Sequence, residues 1–159
     1  MIEKKLAAEG LVLPAPIQLP PNVKLAFPWT RRHGDRVILS GHGPLLPDGS
    51  LAPPFGKVGA EVTPEDAYRA ARLTGLAMLA SLKALLGDLD RVGAWLRVFG
   101  MVNTSPGYTG YPMVINGFSD LVVSLYGEDR GRHARSAIGV AGLPFGLPVE
   151  IEAEIAVLD

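Results

Sequence analysis

The chain predicts an α+β domain in which a mixed β-sheet carries two helices on one face. Three observations point there. Val149 to Val157 alternates strictly between apolar and polar residues, the mark of a strand with one buried face. Thr63 to Leu86 reads as one capped helix with a face of small residues. Further apolar runs of strand length give the order β-β-α-β-α-β-β with no internal repeat, which fits helices segregated on one side of a sheet.

Ile2 to Glu9 forms a short helix stopped by Gly10, and Pro14, Pro16, Pro20 and Pro21 then stiffen an extended connector. Residues 1–24 are thus a helix and a proline-rich arm, and 25–159 a single domain. Leu25 to Trp29 and Arg36 to Gly41 read as two strands joined through Arg31-Arg32-His33-Gly34-Asp35. Pro47-Asp48-Gly49-Ser50 is a turn, followed by a proline- and glycine-rich loop to about Gly59. Thr63 caps the first long helix, Pro64 takes its first position, and Glu65 and Asp66 sit where the helix dipole favours acids. Ala67, Ala70, Ala71, Thr74, Ala77, Met78, Ser81, Leu82 and Leu85 recur at spacings of three and four, allowing close packing until Gly87 ends the helix. Val92 to Asn103 is a buried strand, Met113 to Tyr126 a second helix ended by Gly127, and Arg135 to Val140 a strand broken by Leu143-Pro144.

With 159 residues the chain suits one core. Its net charge of -1 supplies no positive field for nucleic acid, and it has no cysteine for a disulfide, thiolate metal site or thiol nucleophile. Apolar residues make up 48% and charged residues 19%, so part of the apolar excess is expected to face another subunit. The apolar stretch Leu73 to Leu86 is interrupted by Ser81 and Lys83 and falls short of the roughly 20 residues of a membrane span. The N-terminus lacks the apolar segment of a secretory signal, which leaves a cytoplasmic location as the expectation.

Arg135 opens an apolar strand after the charged loop Glu128 to His133; it is either a solvated strand arginine or a planar fork for a carboxylate. Glu150, Glu152 and Glu154 share one strand face, a pattern that solvent alone explains unless one of them is catalytic. His33, His42 and His133 share no metal-ligand spacing. His33 and His133 are expected at the surface, and His42, just after Ser40-Gly41, is the one to watch. No Ser/His/Asp set can be assigned from spacing, and the glycines match no phosphate-loop fingerprint.

Taken together, Ile38-Leu39-Ser40-Gly41-His42-Gly43-Pro44, then Asn116, then Arg135-Ser136-Ala137-Ile138-Gly139-Val140-Ala141-Gly142-Leu143-Pro144 and Val149-Glu150-Ile151-Glu152-Ala153 resemble the RidA (YjgF) family of enamine/imine deaminases. The resemblance spans roughly Leu25 to Val157, with the arm and the Leu51 to Gly59 insertion marking a divergent subgroup. It implies a chorismate-mutase-like fold assembled as a homotrimer around a central barrel, with a cleft at each subunit interface. It further implies that Arg135 binds a substrate carboxylate and that Glu150 positions or activates water. Gly41 and Ala137 would contact the ligand through backbone groups, with Ser40, Asn116 and His42 near the cleft. Phe27 stands where the family commonly has tyrosine, Ala137 where many members have cysteine and His42 where many have glutamine, and Phe27 would be contributed across a subunit boundary. The implied reaction is hydrolysis of small imino or enamino acids to keto acids and ammonia, with no cofactor and no metal. A small-carboxylate binding or regulatory module remains open, while an endoribonuclease would need a basic, aromatic groove that this composition does not offer.

Overall fold

The structure, a computed structural model, describes residues 1–158. Helix α1 spans Ile2–Ala8, strands β1 and β2 Thr30–His33 and Arg36–His42, helix α2 Pro64–Leu86, strand β3 Val92–Asn103, helix α3 Tyr111–Gly131, and strands β4 and β5 Ala134–Val140 and Val149–Val157. The sheet order is β1-β2-β5-β3-β4. β3 and β4 run parallel, joined by α3 as a crossover, and the other neighbours are antiparallel.

Local chemistry sets the long helices. The Thr63 side chain accepts from the Asp66 N–H, and Gly87 takes a φ of 78° as the chain leaves α2. α3 starts two residues before the expected Met113, because Pro112 fits its first turn. Gly127, at φ 77° and ψ 178°, breaks it as expected, but one further turn carries the chain to Gly131.

α2 and α3 cover one face of the sheet. Val37, Leu39, Trp95, Val98, Val102, Ile151 and Ile155 point into the core beneath them. Trp95 meets Phe118 and Tyr126 edge-on. The two helices approach closely where Gly117 faces the Tyr68 carbonyl; an added Cβ would lie 2.0 Å from that oxygen. α1 is a third helix, anchored in the same core by Ile2 and Leu6.

The first strand differs from expectation. Leu25 to Trp29 is not a strand; β1 begins at Thr30, and the turn is only Gly34-Asp35. Pro28 has no N–H to donate to a ladder, so the pairing ends with Ser40 N–H bonded to the Trp29 carbonyl at 3.0 Å. Gly34, at φ 60°, supplies the positive φ that so short a hairpin needs.

The register contains one feature that positions the site. Leu39 pairs with Ala153, yet His42 pairs with Ile151, so three steps along β2 match two along β5. This β-bulge at Ser40-Gly41 inverts the alternation of side chains. His42 therefore joins Leu39 on the helix-covered face, and Gly41 lies against Glu150 on the other.

Candidate functional site

Arg135 lies on the edge strand β4, opposite Val98 of β3, and its side chain turns toward α3. Nη1 donates to Asn116 Oδ1 at 2.9 Å and Ser119 Oγ at 3.0 Å, and Nη2 donates to the Pro112 carbonyl at 3.4 Å. Every acceptor is neutral. Among the described residues no carboxylate forms an ion pair with Arg135. Partial burial pushes its pKa down from the usual value, with Asp120 opposing, but guanidinium remains charged across the physiological range.

Ser119 is a member of this group that sequence reasoning missed. Its place one turn after Asn116 on α3 was the available signal. It also bonds His133 Nε2 at 3.0 Å, while His133 Nδ1 bonds the Gly131 carbonyl at 2.8 Å. The carbonyl can only accept, so Nδ1 carries the proton and Ser119 donates to Nε2 while accepting from Arg135. His133 is thus not the surface residue expected: it is half-buried, with the Phe118 ring edge-on at 5.7 Å. Ala137 follows Arg135 on the same face, partly buried against the core.

Glu150 occupies the opposite face of the sheet. It pairs with Met101 on β3 and alternates with buried Val149 and Ile151. Its carboxylate rests over Gly41, whose missing side chain makes the room: an added Cβ would lie 2.1 Å from Oε1. Burial, and then the like charge of Glu152, raises its pKa above the ordinary carboxylate value. Ser40 Oγ donates to the Pro28 carbonyl at 2.8 Å, tying the bulge to the segment that carries Phe27. Phe27 is exposed and stands edge-to-face on Trp29 at 5.6 Å.

The expected residues therefore fall into two groups. Arg135, Asn116 and Ala137 form one at the β4–α3 edge; Ser40, Gly41 and Glu150 form another at the β2 bulge, with Phe27 nearby in the chain but set edge-on against Trp29, which in turn meets His42. A single chain does not bring Arg135 and Glu150 into one cleft, since the sheet lies between them. His42 belongs to neither group and is buried on the helix face. At the far end of α2, Glu3, Asp88 and Asp90 hold carboxylates within 4.8 Å of one another, but Lys83 and the N-terminal amine already pair with Glu3 and Asp90.

A family model described as "YjgF/chorismate_mutase-like, putative endoribonuclease" matches residues 3–147. The chain belongs to this YjgF family. Glu150 and the rest of β5 lie beyond the matched stretch. Protein TCP17 of Trypanosoma cruzi is 47% identical over 98 residues, 62% of this YjgF-family chain and 61% of its own length. A protein of unknown function from Agrobacterium tumefaciens is 34% identical, with a TM-score of 0.87 over 99% of this chain and 92% of that one. Escherichia coli TdcF, solved with bound serine, shares the fold at 20% identity and a TM-score of 0.59, covering 93% of this chain and 96% of its own.

Proposed function

We propose that this chain hydrolyses small reactive enamine or imine carboxylates to keto acids and ammonia, in clefts between the subunits of a cytoplasmic homotrimer. The observation that carries this reading is Arg135. Its guanidinium is oriented by three neutral acceptors and lacks an acidic partner among the described residues. A partly buried charge of this kind is completed by an anion, and the planar fork suits a carboxylate. The serine bound to TdcF is a small amino acid of that class.

Assembly supplies the other group. The uncovered sheet face bears Ile38 at 57% and Ile138 at 39% exposure, flanking the Glu150, Glu152 and Glu154 row. Packing three such faces around an axis buries them and sets the β4–α3 edge of one subunit against the β2 bulge of the next. Arg135 of one copy then clamps the carboxylate while Glu150 of the neighbour holds water near the imine carbon. An enamine first tautomerises to the imine. Water then adds to the C=N carbon with one proton passing through Glu150 to nitrogen, and the carbinolamine's hydroxyl proton follows to nitrogen as the C–N bond breaks, releasing ammonia and the keto acid. The imine is already electrophilic, so the residues named here need no cofactor.

Phe27 favours a second reading. It offers no hydroxyl where the family commonly has one, so the cleft could hold a small carboxylate without turnover. Ammonia and keto acid release from freshly generated imino acids, measured against spontaneous hydrolysis, decides between them. Acceleration supports the deaminase; ligand-induced stabilisation without acceleration supports the binding module.

A further inference from the structure

On the helix side of β2, away from Glu150, a cavity of about 630 Å³ opens between the N-terminal arm, the Pro28–Thr30 segment and α2. Its walls are mostly apolar, with Leu13, Pro14 and Ile17 from the arm facing Trp29, Ala77 and Leu85. The arm is a fixed wall. Ala15 N–H bonds the Pro47 carbonyl at 2.9 Å and Gln18 N–H bonds the Gly49 carbonyl at 3.0 Å. Gly49 lies so close beneath the arm that an added Cβ would sit 2.2 Å from the Pro16 carbonyl oxygen.

The cavity's polar lining residues are Thr30, His42, Ser81 and Lys83, and His42 and Ser81 are paired. His42 is 6% exposed; Nδ1 lies 2.6 Å from the Ser40 carbonyl and Nε2 2.8 Å from Ser81 Oγ. The carbonyl can only accept, so Nδ1 carries the proton and the Ser81 hydroxyl donates to Nε2. A helix serine more often turns its hydroxyl back to the preceding turn's carbonyl; Ser81 spends its proton on a distant imidazole instead. What it leaves to the cavity is a pair of oxygen lone pairs. Among the described residues the only cation at the rim, Lys83, is drawn off to Glu3 at 2.7 Å.

We propose that this cavity is a second small-molecule site, taking a neutral aromatic or alicyclic compound that carries one hydroxyl or N–H donor. The volume falls within the range of small-ligand pockets, and an apolar lining with one placed polar group is their usual chemistry. Trp29 and the arm's proline offer flat apolar surfaces for a ring, and the Ser81 oxygen accepts from its donor. An anion finds no free cation there, and a desolvated, unpaired carboxylate is costly. This site opens on the other side of β2 from Glu150 and does not rest on the reaction proposed there, although the Ser40 carbonyl and the Trp29 ring lie between the two.

Calorimetric titration of the full chain with p-cresol, toluene and p-toluate tests the assignment. The expected order is p-cresol tightest, with one site per subunit, and p-toluate at least about tenfold weaker, a difference that such titrations resolve. Ser81→Val, which removes the acceptor, should bring p-cresol down to the affinity of toluene, and Ala80→Phe, at a wall residue on α2 beside Ser81, should block both. Imino-acid hydrolysis should be unchanged in Ser81→Val. Absence of p-cresol binding, equal or tighter binding of p-toluate, or p-cresol affinity unmoved by Ser81→Val would overturn the proposal, and the first two need no variant.

Discussion

Gly41 and Glu150 are in contact across the β2–β5 ladder, the glycine leaving the space in which the carboxylate rests; a methyl there would fall 2.1 Å from Oε1. Gly41→Ala should therefore displace the carboxylate while leaving the fold intact, because the obstructed atom is the far end of a flexible side chain. Misplacing a reacting group by about 1 Å costs on the order of a hundredfold in rate. Steady-state kcat on an imino acid should fall by that order with little change in melting temperature. An unchanged kcat would remove Glu150 from the chemistry.

The separation of Arg135 from Glu150 within one chain gives a complementation test. On the trimeric reading, the Arg135→Ala and Glu150→Ala variants should each be nearly inactive. If clefts are shared, refolding equal amounts together should restore about a quarter of parent activity, since each mixed trimer then holds one intact cleft of three. Mixtures no more active than their parents would show that the two residues serve no common site.

Arg135→Lys keeps the charge but loses the fork, and Arg135→Ala loses both. A charge-assisted hydrogen bond contributes about 1.5 to 3 kcal/mol, so both variants should lower kcat/KM at least about tenfold. Light scattering should find the same assembly as for the parent, because the neutral partners Asn116 and Ser119 can turn to water. Parent-like activity in Arg135→Ala would end the carboxylate-clamp reading.

Two shifts act in opposite senses on stability. Glu150 has its pKa raised by burial and then by Glu152, so the native state holds that proton more tightly than the unfolded chain. Its contribution favours folding below the ordinary carboxylate pKa and is lost as pH rises through the raised value. His42 has its pKa lowered by burial, with the Ser40 carbonyl opposing; its contribution is present above the ordinary histidine pKa and is lost as pH falls below it. Melting curves should show Glu150→Gln stabilised relative to the parent at pH 7 and less so at pH 4. His42→Gln should flatten the parent's decline below about pH 6.5, the ordinary histidine value.

The α2–α3 crossing should be intolerant of added volume. Gly117→Ala places a methyl against the Tyr68 backbone, which cannot move as a side-chain end can. Destabilisation of about 1 to 3 kcal/mol is expected from denaturant unfolding, the usual cost of overpacking. A neutral effect would mean the helices separate freely.

The sequence by itself determined the elements whose causes are local. Thr63, Pro64 and Gly87 set both ends of α2 because caps act within a turn, and the alternation from Val149 to Val157 assigned the faces of β5 because successive strand residues point oppositely. The family was also legible, from its motifs. Leu25 to Trp29 misled because its apolar pattern outweighed Pro28, whose missing N–H matters only where a ladder partner asks for it.

Only the tertiary structure decided which residues share a face. Alternation from Val37 and Leu39 would send Gly41 inward and His42 outward, but the bulge opposite Ile151 reverses both. It thereby creates the Gly41–Glu150 contact and the buried His42–Ser81 pair together. Arg135 and Glu150, fifteen residues apart in the chain, end on opposite sides of the sheet because they sit opposite Val98 and Met101, three residues apart on β3 and so on opposite faces. Strand register is set by hydrogen bonds between distant segments, and one extra residue in it changes the face of every side chain beyond, which no local pattern can encode.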